Sequence, residues 1–208
     1  MPTGRSGPAG GLSASRHVPL APPAGPGDLP RGASLGALVR ALGGRPFDGE
    51  RKISTQLARL ARRDPRWRYL SAVPAGVYGA HIDHLVVGPG GVYTLDARSH
   101  PNSRIWVRGN VFRVDGAAYP YVSNSRHEAL RAARCLSAAC GFGVEVTGVI
   151  AVAGPEEISV REPAPDVHVV EHTALRSWLR GREPVLDAPT LAVVYDAARH
   201  ASTWDPQS

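Results

Sequence analysis

Lysine is almost missing from this chain. Lys52 is the only lysine among 24 basic residues, so nearly all the positive charge is carried by arginine. Arginine favours bidentate contact with phosphate, although biased codon usage in a GC-rich genome gives the same composition, and Gly and Pro are abundant here too. Cysteine is equally scarce. Cys135 and Cys140 are the only two. Set five apart on an expected helix, they point to different sides, which argues against a disulfide, and no metal-ligand cysteine pattern exists. Long apolar runs are also lacking. No stretch approaches the roughly 18 apolar residues that span a bilayer. Prolines and glycines break every candidate signal-peptide core near the start. A cytoplasmic location with no membrane partner is therefore expected.

What remains is enough for one domain. Hydrophobic residues make up 43% of the 208, enough for a core, and charged residues 20%. A net charge of +6 and a pI near 9.9 lean towards a polyanionic partner, without any dense basic run to strengthen the case. Residues 1–32 are rich in Pro, Gly, Ser and Ala and cannot bury enough surface to offset ordering, so a disordered tail is expected there. Residues 33–204 read as a single domain with a helical C-terminal part.

The sharpest chemistry lies in His81–His100, HIDHLVVGPGGVYTLDARSH. It reads as a strand, a Gly/Pro turn and a second strand. Alternate side chains share a face. His81, Asp83, Leu85 and Val87 point one way, with Ile82, His84 and Val86 opposite. Val92, Thr94, Asp96 and Arg98 share a face of the second strand. Each apolar strand thus carries an aspartate, which is costly in a buried strand unless something pairs with it. Arg98 stands two residues beyond Asp96, on the same side.

Around this hairpin, helices are expected over Ala33–Leu42, over Asp48–Arg63 with Asp48 as N-cap, and over Asn124–Cys140 capped by Asn124 or Ser125. Two more are expected over Thr173–Arg180 and Pro189–His200. Ile53, Leu57 and Leu60 form the stripe of the second, and Glu50 extends it inward. Leu130, Ala133, Leu136 and Ser137 give the inner side of the third. Strands are expected over Trp67–Val73, Arg104–Val107, Val111–Val114, Val144–Val152 and Val167–Val170. The order argues an α/β fold with a mixed central sheet flanked by helices.

Glu50, IDHLVVGPGGVY over 82–93, Asp96, Arg98 and NSRHEALRAAR over 124–134 together resemble the nuclease-related domain (NERD) family. The resemblance covers roughly Gly49–Ile150, and the remainder is similar to an extension in actinobacterial members. It implies a restriction-endonuclease-like fold, whose pattern is an acid followed on the next strand by acid-x-Lys. On that pattern Asp83 is the first acid, Asp96 the second, Arg98 stands where lysine is usual, and Glu50 is the helix acid. Asn124 matches the residue opening the next helix, Glu128 lies where Gln is common, and Ser125 replaces a usual Pro.

The implied activity is Mg²⁺-dependent hydrolysis of nucleic-acid phosphodiesters, DNA ahead of RNA, with Mn²⁺ as an alternative ion. Glu50, Asp83 and Asp96 would hold the metal and Arg98 would stabilise charge. Asn124, Arg126 and Arg131 are the candidate nucleic-acid contacts. The departures matter. Arg98 stays protonated at physiological pH, so it cannot replace a basic lysine. Asp96 is one methylene shorter than Glu. The competing reading is a degenerate relative that binds nucleic acid or protein through the same groove. An Asp96–Arg98 ion pair filling the gap would favour it.

Overall fold

The computed structural model describes residues 46–74 and 81–204, all within one compact unit. The tail expected over 1–32 and the helix expected over Ala33–Leu42 lie outside those residues. Helix α1, Pro46–Arg63, opens on a proline and closes on Arg62 and Arg63, whose charges suit its carbonyl end. Asp48 is not its N-cap, because the helix begins two residues earlier. Instead Asp48 reaches forward to Arg51 at 2.8 Å and Lys52 at 3.0 Å, and the Arg51 bond leads in holding its carboxyl down at about 2.

Strand β1, Arg68–Pro74, leads into β2, His81–Gly88, and β3, Gly91–Ser99. These two are the expected hairpin, with Gly88 paired to Gly91 across Pro89–Gly90. Next come β4, Arg104–Arg108, β5, Val111–Val114, and β6, Ala117–Tyr119. Helix α2 spans Tyr121–Cys140, followed by β7, Val146–Ala153, β8, Glu157–Glu162, and β9, Val167–Glu171. Helices α3, Leu175–Arg180, and α4, Ala188–Ala198, close the chain, with a final 3₁₀ turn at Ala201–Trp204. Helix α4 starts one residue before the expected Pro189, which lies in its first turn, and Asp187 caps it by accepting from the Thr190 amide at 2.9 Å.

The strands form two sheets where one was expected. The larger has the order β1-β2-β3-β7-β9, antiparallel through β3 and parallel beyond. The smaller has the order β6-β5-β4-β8. Both are mixed and flanked by helices, so the fold is α/β and consistent with a restriction-endonuclease-like domain. On one face of the large sheet, Ile53, Leu57 and Leu60 of α1 and Leu175 and Leu179 of α3 pack on Val86, Tyr93 and Leu95. On the other, Ala132 and Leu136 of α2 and Leu191 and Val194 of α4 pack on Leu85, Val87 and Val92. The small sheet joins the start of α2 through Ile105, Phe112 and Val122.

Helix α2 departs from its sequence reading. It begins at Tyr121, three residues early, behind Pro120, which makes no side-chain cap bond. Asn124 and Ser125 are therefore interior. The buried stripe is Val122, Ser125, Ala129, Ala132 and Leu136, and Leu130, expected inside, is 53% exposed. Gly148 of β7 makes this seating possible, because a Cβ there would come within 2.6 Å of Ser125 Oγ. Cys135 and Cys140 are both free. Among the described residues, no helix is long and apolar enough to cross a membrane.

Candidate functional site

The register of the central hairpin decides where its acids go. The antiparallel pairs run Gly88–Gly91, Val87–Val92, Leu85–Thr94 and His84–Leu95. The ladder ends there, and alternation puts both Asp83 and Asp96 on the face that carries Leu85, Val87, Val92 and Thr94. Beyond the last pair the Asp83 side chain takes over, and its Oδ2 accepts from the Ala97 amide at 3.0 Å.

Asp96 is 7% exposed and lies under α2. Arg98, two residues along the same face, folds back on it. Its Nε donates to Asp96 Oδ2 at 3.0 Å and its Nη2 to the same oxygen at 2.7 Å. The guanidinium is also held from above, its Cζ lying 4.3 Å from the Tyr121 ring centroid. Burial pushes the Asp96 carboxyl up to about 6, against the pull of Arg98, and the nearby Asp83 adds to the rise. Arg98 itself is held above its ordinary value. Burial opposes its charge, but Asp96 more than offsets that.

Helix α2 adds a third acid. Glu128 sits three residues beyond buried Ser125, on the edge of the stripe that meets the sheet. Its Oε1 is buried with no hydrogen-bond partner. Burial pushes its carboxyl up to about 8, with Asp96 and Asp83 adding to the rise and Arg131 and Arg98 opposing it. Three acids therefore share the neighbourhood of Arg98. Glu50 stands to one side. Expected to face inward, it is exposed by area, but it borders a small pocket with Ser54, Ser71, His81, Asp83 and His84. Partial burial raises its carboxyl first and Asp83 second. Asp83 thus faces Glu50 across one pocket and Asp96 across the hairpin.

His84 points away from Asp83, as alternation requires. Its Nδ1 lies 2.9 Å from Ser71 Oγ and its Nε2 3.4 Å from Ser54 Oγ, and burial lowers its proton affinity. Of the three candidate nucleic-acid contacts, Asn124 is exposed on α2. Arg126 spends its guanidinium on Asp166 and on Asn110 Oδ1, the latter at 2.9 Å. Arg131 is half-buried near Glu128, with its Nε lacking a hydrogen-bond partner. In the sequence Glu128 stands out only as a departure from the family pattern, and Tyr121 carries no signal of its own. Helical spacing from Ser125 would have placed Glu128 at the sheet, had the start of α2 been legible.

The fit to a divalent cation follows from these bonds. Asp83 and Asp96 each have one oxygen engaged, by a backbone amide and by Arg98 respectively. Among the described residues, no three His, Cys, Asp or Glu side chains converge closely enough to hold a metal ion. Two carboxylates and waters can suffice for Mg²⁺, but here the guanidinium already stands at Asp96. As arranged, the set does not fit a resident metal.

A family model described as "Nuclease-related domain" covers residues 45–153, just over half of the chain, from α1 through β7. No curated protein and no solved structure matches the chain.

Proposed function

From the premise that the chain belongs to the nuclease-related domain family, we propose that it binds nucleic-acid phosphodiesters at the Asp83–Asp96–Arg98 cluster without hydrolysing them. The observation that carries this reading is the doubled contact of Arg98 on Asp96 Oδ2. A hydrolytic site needs a cation that polarises the phosphodiester and acidifies a water. Here a permanently charged side chain neutralises the second acid. Arginine cannot acidify water, and it cannot act as a base. It remains a good partner for a phosphate oxygen, so binding can persist where cutting does not. DNA stands ahead of RNA as the partner.

A second reading has its own support. Three acids lie around one guanidinium, and although burial leads in raising Asp96 and Glu128, neighbouring carboxylate charge adds to both rises. A divalent ion would offset that repulsion if Arg98 swung aside, which makes Mg²⁺- or Mn²⁺-dependent hydrolysis the alternative.

The two are separated by incubating plasmid DNA and RNA with the full chain in Mg²⁺ or Mn²⁺, alongside Asp83→Ala and Arg98→Lys. Binding is followed by fluorescence anisotropy. The proposal expects wild type to bind and not cut, and Arg98→Lys to gain cutting. Metal-dependent cutting by wild type that Asp83→Ala abolishes would overturn it in favour of hydrolysis.

A further inference from the structure

The surface next to Arg98 is aromatic. Tyr121, at the start of α2, holds the Arg98 guanidinium on its ring. It also stacks on Tyr119, the last residue of β6, with centroids 5.0 Å apart and planes 26° from parallel. Phe112, directly opposite Tyr119 on β5, meets Tyr121 edge-on at 5.1 Å. His100 leans on both tyrosines, at 5.9 Å from Tyr119 and 5.8 Å from Tyr121. Its Nε2 is buried without a hydrogen-bond partner.

Most of this cluster has a packing role. Phe112 is fully buried, and Tyr121 fixes both Arg98 and the start of α2. Tyr119 differs. It lies on β6, an edge strand whose three residues are all exposed, and it is itself 37% exposed. A tyrosine that merely filled space between the sheets would be covered. This one is held flat by Tyr121 on one side while part of it stays open to solvent. It is braced by Tyr121 and His100, and it is joined through Tyr121 to the Arg98 guanidinium beside the buried acids.

We propose that Tyr119, backed by Tyr121 and His100, is a stacking surface for an unpaired nucleobase whose phosphate lies at Arg98. The inference rests on the nucleic-acid reading above and deepens it, because it names the substrate class as single-stranded or locally unpaired. Bases inside a duplex have their faces covered, so a ring at this position can engage one only after it leaves the stack. Stacking on an aromatic side chain tolerates every base, since each has a π-face. The site therefore selects strandedness and not sequence.

The test uses the full chain and three fluorescein-labelled probes of equal length: a single-stranded oligothymidylate, a duplex, and an abasic strand that keeps its phosphates. The expected order is single strand tightest, with the abasic strand and duplex weaker. Tyr119→Ala should weaken the single strand roughly 5- to 100-fold, the loss typical of one stacked base, and leave the abasic strand unchanged. Tyr119→Phe should keep wild-type affinity, because the ring and not the hydroxyl does the stacking. A single strand carrying 2-aminopurine should change its emission at saturation with wild type and not with Tyr119→Ala. Thermal melting of each variant guards against a folding artefact, which an exposed edge residue makes easy to avoid. If the abasic and normal strands bind wild type equally, or Tyr119→Ala binds the single strand normally, the stacking surface is overturned while phosphodiester binding stands. If no probe binds wild type, both fall.

Discussion

Along one face of a single hairpin, two ends solve the same packing problem in opposite ways. At the turn end, Leu85, Val87 and Val92 are dry and covered by Ala132 and Leu136 of α2 and by Leu191 and Val194 of α4. At the open end, Asp83, Asp96 and Arg98 lie beside the same helix, which sets Tyr121 over Arg98 and adds Glu128 to the acids. The first end gains stability from every atom removed from water. The second spends some of it, because burial raises two carboxyls that one guanidinium only partly neutralises. The contrast teaches that the turn end builds the fold, whereas the open end retains charge that folding alone does not need.

The largest expected effect lies at the turn end. Leu85→Ala should lower stability by about 2–5 kcal/mol, the range for a buried leucine, with little change between pH 5 and pH 8. Urea denaturation at both values checks it. A large pH dependence would break the contrast by showing that charge reaches this end as well.

Next comes Arg98→Ala. Arg98 holds the Asp96 carboxyl down, so its removal lets that carboxyl rise further above about 6. An acid raised in the folded state costs stability once it ionises, and the cost fades as pH falls and the proton returns. The expected loss is about 2–3 kcal/mol at pH 8 and under about 1 kcal/mol at pH 5, in the manner of a broken buried pair with some solvent access. A loss independent of pH would mean that Arg98 acts through packing on Tyr121 alone.

Glu128→Gln should be milder and opposite in sign. The folded carboxyl holds its proton up to about 8, while the unfolded one releases it near 4.5. Wild-type stability should therefore fall as pH rises through that window. Glutamine removes this share, with an expected gain of about 1–2 kcal/mol at pH 8.5 after discounting for solvent, and none at pH 4. Denaturation across the range measures it, and a loss at pH 8.5 would sink the claim of excess acid.

Smallest should be Arg104→Ala in the small sheet. Its pair with Glu156 spans 3.2 Å, and both partners are exposed, so urea denaturation should show no resolvable loss of stability. A measurable loss would show that the small sheet uses charge in the way the open end does.

Much of this was legible in the residues, for identifiable reasons. Alternating apolar positions around Pro89–Gly90 set both the hairpin and its register. Once Gly88 pairs with Gly91, alternation puts Asp83 and Asp96 on the same face. The stripe of Ile53, Leu57 and Leu60 was equally plain. The start of α2 was not, since Pro120 offers no side-chain cap bond and Asn124 offers a false one. That slip of three residues hid Ser125 and Glu128 from the buried side and left Tyr121 in a loop. Strands β6 and β8 escaped because they are short and largely exposed, with no alternation to read. The i, i+2 spacing on one strand face offered the Asp96–Arg98 pair, but the Tyr121 ring over Arg98 comes from a distant segment that no local pattern encodes.

The central claim is that Arg98 stands where a metal ion would otherwise sit, and Mn²⁺ binding tests it most directly. Isothermal titration of Mn²⁺ into wild type and Arg98→Ala, each with and without Asp83→Ala, should show no stoichiometric site in wild type. A site should appear in Arg98→Ala and vanish when Asp83 is also removed. A one-to-one Mn²⁺ site in wild type that Asp83→Ala abolishes would contradict the account.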